Sequence, residues 1–184
     1  MTARVVLLNG VSSVGKGSVA RALQRIAARP MLHVQMDAFL EMMPPGSFGS
    51  DDGYRFVTTL EDGKPVVAIE SGPLMEAVMR AMRQAIAGMA DAGADLIVDD
   101  VIWDADALQD YRRLLAPFEF HAVGLTAPLA VIEARELARG DRAPGLARWQ
   151  FDRVHAGKLY DLKIDVGAIT PDEAAARIRD AFGL

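Results

Sequence analysis

Short apolar runs alternate with longer amphipathic stretches along this chain. The first run, residues 4–9 (Arg-Val-Val-Leu-Leu-Asn), is apolar through its middle and reads as a strand. A glycine-rich interval follows, and then Val19, Leu23 and Ile26 share one face at helical spacing. Residues 31–36 read as a second strand that ends at Asp37. A short helix is expected over residues 38–43, stopped by Pro44-Pro45-Gly46. Two further apolar-rich runs flank Asp62-Gly63, a two-residue turn signal, so an inserted β-hairpin is expected over about residues 53–70. Gly72-Pro73 opens a long helix on which Leu74, Val78, Met82 and Ile86 are in phase. A buried-looking strand, residues 94–98, runs into Asp99-Asp100. Helices over residues 105–115, 128–140 and 146–156 and strands over 118–125 and 161–166 complete the alternation. Thr170-Pro171-Asp172-Glu173 marks the last helix with a capping box and proline at its first position.

Strands alternating with helices predict an α/β fold in three layers, a mostly parallel five-stranded sheet between helices. With 184 residues and no repeat or linker, residues 1–184 form a single domain. The 51% hydrophobic content predicts a folded core. A net charge of −5 speaks against nucleic acid as a partner. The chain has no cysteine, which excludes disulfides and thiolate chemistry and suits a reducing, cytoplasmic setting. No run approaches the roughly 18 apolar residues of a membrane span, and the N-terminus lacks a signal-peptide layout. No membrane association is expected.

The glycine-rich interval carries the chemistry. Gly10, Gly15 and Lys16 fit the phosphate-loop spacing G-x-x-x-x-G-K between a strand and a helix. Gly10, Val11, Ser12, Ser13, Val14, Gly15, Lys16, Gly17 and Ser18 would then cradle a polyphosphate with backbone N–H groups, the lysine reaching its outer oxygens. The alternative is a glycine-rich turn with no ligand. A Ser or Thr normally follows the lysine and holds magnesium, but Gly17 stands there. Either Ser18, Ser12 or Ser13 supplies the hydroxyl, or the metal is held through water and carboxylates. Asp37, at the carboxyl edge of the sheet, is placed to take a proton from an attacking hydroxyl, and it also suits the N-cap of the following helix. Asp99 and Asp100 end the central strand where a magnesium-holding carboxylate is expected; they point to opposite faces. Arg135, Arg139 and Arg142, around Gly140, form a candidate lid over about residues 135–148, with Glu136 and Asp141 as alternative salt partners. His33 and His121 read as core or strand-end residues, and His155 has no evident partner. Met42, Met43 and Phe39 are core filler or the lining of an apolar pocket, and Trp103 is a stacking or a core residue.

Taken together, these segments resemble the chloramphenicol phosphotransferase family. The resemblance is carried by Leu7-Leu8-Asn9-Gly10 with Ser12-Ser13 and Gly15-Lys16, by Asp37 with Glu41 and Pro44, and by residues 97–101. Arg135-Glu136, residues 138–142, Val154-His155 and Tyr160-Asp161 extend it over nearly the whole chain. It implies a P-loop fold similar to nucleoside monophosphate kinases, ATP and magnesium as cosubstrates, Asp37 as the base and a closing arginine lid. In that family the γ-phosphoryl group moves to a primary hydroxyl of an antibiotic, which links the family to antibiotic resistance. Gly17-Ser18 inverts the family's order after the lysine, and residues 45–69 are longer and differently composed. The expected activity is phosphoryl transfer from ATP to a hydroxyl of a small molecule. A nucleotide or shikimate-type metabolite kinase and a non-catalytic ATP-binding switch are the alternatives.

Overall fold

A strand that is apolar on both faces must be covered on both, and β1 (Arg4–Asn9) stands at the centre of the sheet. The computed structural model describes residues 2–184. After β1 come α1 (Lys16–Ile26), β2 (Met31–Gln35), α2 (Met36–Glu41), β3 (Tyr54–Glu61), β4 (Lys64–Ser71) and α3 (Pro73–Asp91). The second half runs β5 (Asp95–Asp100), α4 (Ala105–Leu114), β6 (Glu119–Thr126), α5 (Leu129–Arg139), α6 (Leu146–Phe151), β7 (Leu162–Asp165) and α7 (Pro171–Phe182). Five strands pair in the order β2-β5-β1-β6-β7, and every pairing is parallel.

The strand alternation sorts the core into two layers. Val6 and Leu8, with Ile97, Val123 and Leu125, pack under α1, α5 and α7 through Val19, Leu23, Ile132 and Ile178. Val5 and Leu7, with Leu96 and Val98, face α3 and α4 through Met82, Ile86, Leu108 and Tyr111. All five strands point the same way, so their carboxyl ends gather the functional loops along one edge.

The hairpin forms as expected but outside the main sheet. β3 and β4 make a separate antiparallel pair in which Tyr54 faces Ser71 and Glu61 faces Lys64. Asp62 and Gly63 both hold positive φ, 50° and 74°, as a two-residue hairpin turn requires. The Val67 N–H donates to the Gly145 carbonyl at 3.0 Å, which ties β4 to the start of α6. Two boundaries move. β2 stops at Gln35, so Asp37 lies in the first turn of α2 rather than at a strand end, and no side chain caps that helix. α6 stops at Phe151 rather than near residue 156. The chain turns there because Val154 and His155 swing back to the sheet, where the Val154 carbonyl accepts from Asn9 and His155 meets the Leu125 carbonyl. The capping box at Thr170 and Glu173 is formed, with Pro171 opening the helix. Among the described residues no helix is long and apolar enough to cross a membrane.

Candidate active site

The loop between β1 and α1 is fixed from several directions. Gly15 takes φ 110°, a left-handed turn that glycine adopts without a Cβ penalty. At Gly10 a Cβ would stand 2.7 Å from the Leu125 carbonyl oxygen, so only glycine lets the loop leave the sheet this closely. Lys16 is buried and its ammonium donates to the carbonyls of Gly10 (3.0 Å) and Val11 (3.2 Å). Arg135 donates to the Val14 carbonyl and to Val166, both at 3.0 Å. The Ser12 N–H donates to Gln150 Oε1 at 2.7 Å, and Gln150 is buried. Among the described residues the N–H groups of Ser13, Gly15, Lys16 and Gly17 have no backbone acceptor outside the helix, and the buried Ser13 hydroxyl has no partner. Those donors open onto the cavity at the N-terminus of α1, where an anion is favoured.

The two strand-end aspartates part company. Asp99 shares the face of Ile97 and lines the cavity, with Oδ1 3.7 Å from Lys16 Nζ and Oδ2 3.6 Å from His33 Nε2. Burial works to raise its pKa, but Lys16 and His33 outweigh it and hold the carboxyl below its ordinary value. Asp100 shares the face of Val98, away from the cavity. It accepts from Tyr111 Oη at 2.9 Å and from the Val101 N–H at 2.7 Å, and burial raises its pKa. The expectation that Asp100 serves a metal is therefore corrected: its oxygens are spent inside the core. Ser18 is exposed at the cavity rim, one position past the place where the metal-holding hydroxyl is expected. Among the described residues no three His, Asp or Glu side chains cluster to hold a metal on their own. One half-buried carboxylate, held toward its ionised form beside the loop N–H groups, fits a magnesium ion that would bring phosphate oxygens and water with it.

Asp37 lines the same cavity, whose volume is about 730 Å³. Arg142 pairs with it directly, and Asp37 and Asp141 offset the desolvation of that guanidinium and raise its pKa. The wall around Asp37 is apolar and aromatic: Met36, Leu40, Tyr54, Phe56, Ile69 and Met75. Phe48, Tyr54 and Phe56 pack edge to face with centroids 5.2–6.0 Å apart. Met42 is exposed and, with Met43 and Phe39, lies outside the lining; Phe39 packs on the core instead. Arg139 pairs with Asp141 at 3.0 Å and lines the rim.

This architecture has counterparts. An M. tuberculosis APS kinase in complex with AMPPNP and APS superposes with a TM-score of 0.69 at 18% identity, covering 100% of this chain and 99% of that one. The Deinococcus radiodurans tunicamycin resistance protein gives 0.67 at 17% identity over 99% and 96%. A sugar kinase of Janibacter sp. HTCC2649 gives 0.65 at 18% over 98% and 95%. These likenesses establish the P-loop kinase fold. In sequence, proteins of two Mycobacterium tuberculosis strains that carry the name O-phosphotransferase are 32% identical, covering 97% of this chain and 82% of theirs. The chloramphenicol phosphotransferase-like family model matches residues 3–183. The chain belongs to that family. It is a phosphotransferase of the kinase type.

Within the chloramphenicol phosphotransferase-like frame, several site residues lay beyond sequence reasoning. Gln150 holds the loop from α6, and Glu136, buried and far from a surface salt partner, accepts from the N–H groups of Gly145 and Ala147 at 2.8 Å. Asn9 joins three segments: its amide donates to Val154 and to Tyr160 Oη, and its oxygen accepts from the Ile102 N–H at 2.8 Å. His155 completes that knot through Tyr160 Oη at 3.0 Å, so it is structural, and burial brings its pKa down to about 4. His121 stacks on Phe182. Trp103 lines the cavity while packing edge to face on Trp149. Arg21 reaches the loop from one turn along α1, and no carboxylate pairs with it among the described residues.

Proposed function

We propose that this protein transfers the γ-phosphoryl group of ATP to a hydroxyl of a small, neutral molecule with an apolar or aromatic body. One observation carries the reading. The lysine-closed phosphate loop and Asp37 line one continuous cavity, so a phosphate held by the loop and an acceptor beside the carboxylate would share one space. ATP with magnesium would supply the phosphoryl group and screen its charge. Lys16 and the loop N–H groups would hold the phosphates in line. Asp99 would take the metal side. Asp37 would accept the proton of the acceptor hydroxyl, with Arg142 orienting the carboxylate. Arg139, the last residue of α5, and Arg142, just beyond it, would face the charge that develops on the phosphoryl oxygens. Arg135 would act from behind, by bracing the loop.

The lining supports a neutral acceptor. Arg142 is already matched to Asp37, and Arg55 turns outward to Glu70 and Asp51, so neither of these two cations is left over for an anionic substrate at the apolar wall. An uncompensated buried charge would be costly there. Chloramphenicol itself is one acceptor of this class, and phosphorylating such a compound would confer resistance to it. The test is magnesium-dependent ADP release over a panel of alcohols. Neutral aromatic alcohols should stimulate turnover, whereas stimulation by sugar acids or nucleoside monophosphates would favour a metabolite kinase. No stimulation by any acceptor, with nucleotide binding intact, would favour a switch.

A further inference from the structure

Gly17 is the second residue of α1, and its φ is not positive. Glycine is disfavoured relative to alanine in a helix, so its presence needs a reason outside the backbone. The space beside it supplies one. A Cβ on Gly17 would stand 3.3 Å from Asp99 Oδ2, tighter than side chains normally pack, with both terminal nitrogens of Arg21 at 3.9 Å. The carboxylate therefore leans into the volume that a side chain on residue 17 would claim.

His33 stands behind that carboxylate. In register, His33 pairs with Ile97 and Gln35 with Asp99, which brings the imidazole to the face that Asp99 shares. Its side chain is only 10% exposed. The Gln35 amide nitrogen, a donor, faces Nδ1 at 3.4 Å, which favours the tautomer with Nδ1 accepting and a hydrogen on Nε2. Among the described residues that Nε2–H has no hydrogen-bond partner, and Asp99 Oδ2 lies 3.6 Å away. A buried donor without an acceptor is costly, and contacts at such sites commonly tighten once the ligand is bound.

We propose that Gly17 is a cut-away that lets the Asp99 carboxylate take over the divalent-cation place otherwise filled by a Ser or Thr hydroxyl after the loop lysine. His33 is the positioning residue that holds the carboxylate there; it does not touch the cation. This rests on the nucleotide reading given above. A small hard cation accepts such a site because one carboxylate, phosphate oxygens and water complete its shell.

The experiment is calorimetric titration of the full chain with a non-hydrolysable ATP analogue, with and without magnesium. The ratio of the two affinities is the readout. Gly17→Ala should fold with a Tm at least equal to wild type, since alanine favours the helix. Its magnesium ratio should fall by about tenfold as Asp99 is pushed aside. Asp99→Asn should bring the ratio close to one. His33→Ala should lower it by about tenfold, and His33→Gln, whose amide can present an N–H from a similar position, should restore most of it. A wild-type ratio in Gly17→Ala or in Asp99→Asn overturns the proposal, and equal behaviour of the two His33 variants removes its positioning part. A wild-type chain that binds no analogue under either condition refutes the nucleotide reading instead.

Discussion

The two ends of the cavity are built to different rules. At the phosphate end, Ser12, Ser13 and Lys16 are buried, and the loop is clasped by Gln150 and Arg135, each more than a hundred residues away in the chain. At the acceptor end the wall is a two-stranded hairpin, a unit that is marginal on its own. It leans on α6 through Val67 and Gly145, and its ion pairs among Arg55, Asp51 and Glu70 are exposed. Phe48, at its edge, is 60% exposed. Charge that develops during phosphoryl transfer needs dipoles already aimed at it, so the loop must be stiff. Selecting among acceptors needs only a shaped apolar wall, which an inserted hairpin can vary while the sheet stays as it is.

The largest effect should come from the stiff end. Lys16→Met should lower kcat/KM by about a thousandfold and weaken nucleotide binding, with acceptor binding spared. Steady-state kinetics with calorimetry would check this, and unchanged nucleotide affinity would break the division between the two ends. Next comes the acceptor wall. Phe56→Ala should raise the acceptor KM by about tenfold or more while nucleotide affinity stays at the wild-type value. A matching loss of nucleotide affinity would mean that the hairpin serves both ends.

Smaller effects separate support from chemistry. Tyr111→Phe leaves Asp100 without a side-chain donor in the core. It should cost about 1–2 kcal/mol in urea unfolding with both KM values unchanged. The smallest effect is a pH dependence at His155. Burial, with help from Lys163, lowers its pKa in the folded chain to about 4, whereas the unfolded ring takes its proton near 6.5. Between those values the unfolded chain binds the extra proton, so stability should fall as pH drops from 6.5 toward 4 and level off below. The ring is partly exposed, so the loss should be about 1–2 kcal/mol, less than the full shift implies. Denaturant unfolding across that window, with His155→Gln as the flat control, measures it.

What could be read from the chain alone follows the reach of local chemistry. The sheet, the loop and the hairpin turn were legible because each is written in a few neighbouring residues: a doubly apolar strand, Gly10 to Lys16, Asp62-Gly63. Asp99 and Asp100 were legible as a pair but not as individuals, since their division depends on which helices cover each sheet face. Gln150, Glu136 and His33 were not legible as site residues, because their partners come from other elements and from the register of β2 on β5. The early stop of α6 has the same origin: contacts made by Val154 and His155 across the fold override local helix preference.

The central claim is that the loop holds the nucleotide while Asp37, in the same cavity, acts only on the acceptor. Asp37→Asn tests it most directly, with nucleotide affinity and acceptor-stimulated ADP release measured on the same preparation. Affinity should stay within about twofold of wild type while turnover falls by about a hundredfold or more. Wild-type turnover in the variant, or a parallel collapse of nucleotide affinity, would contradict it.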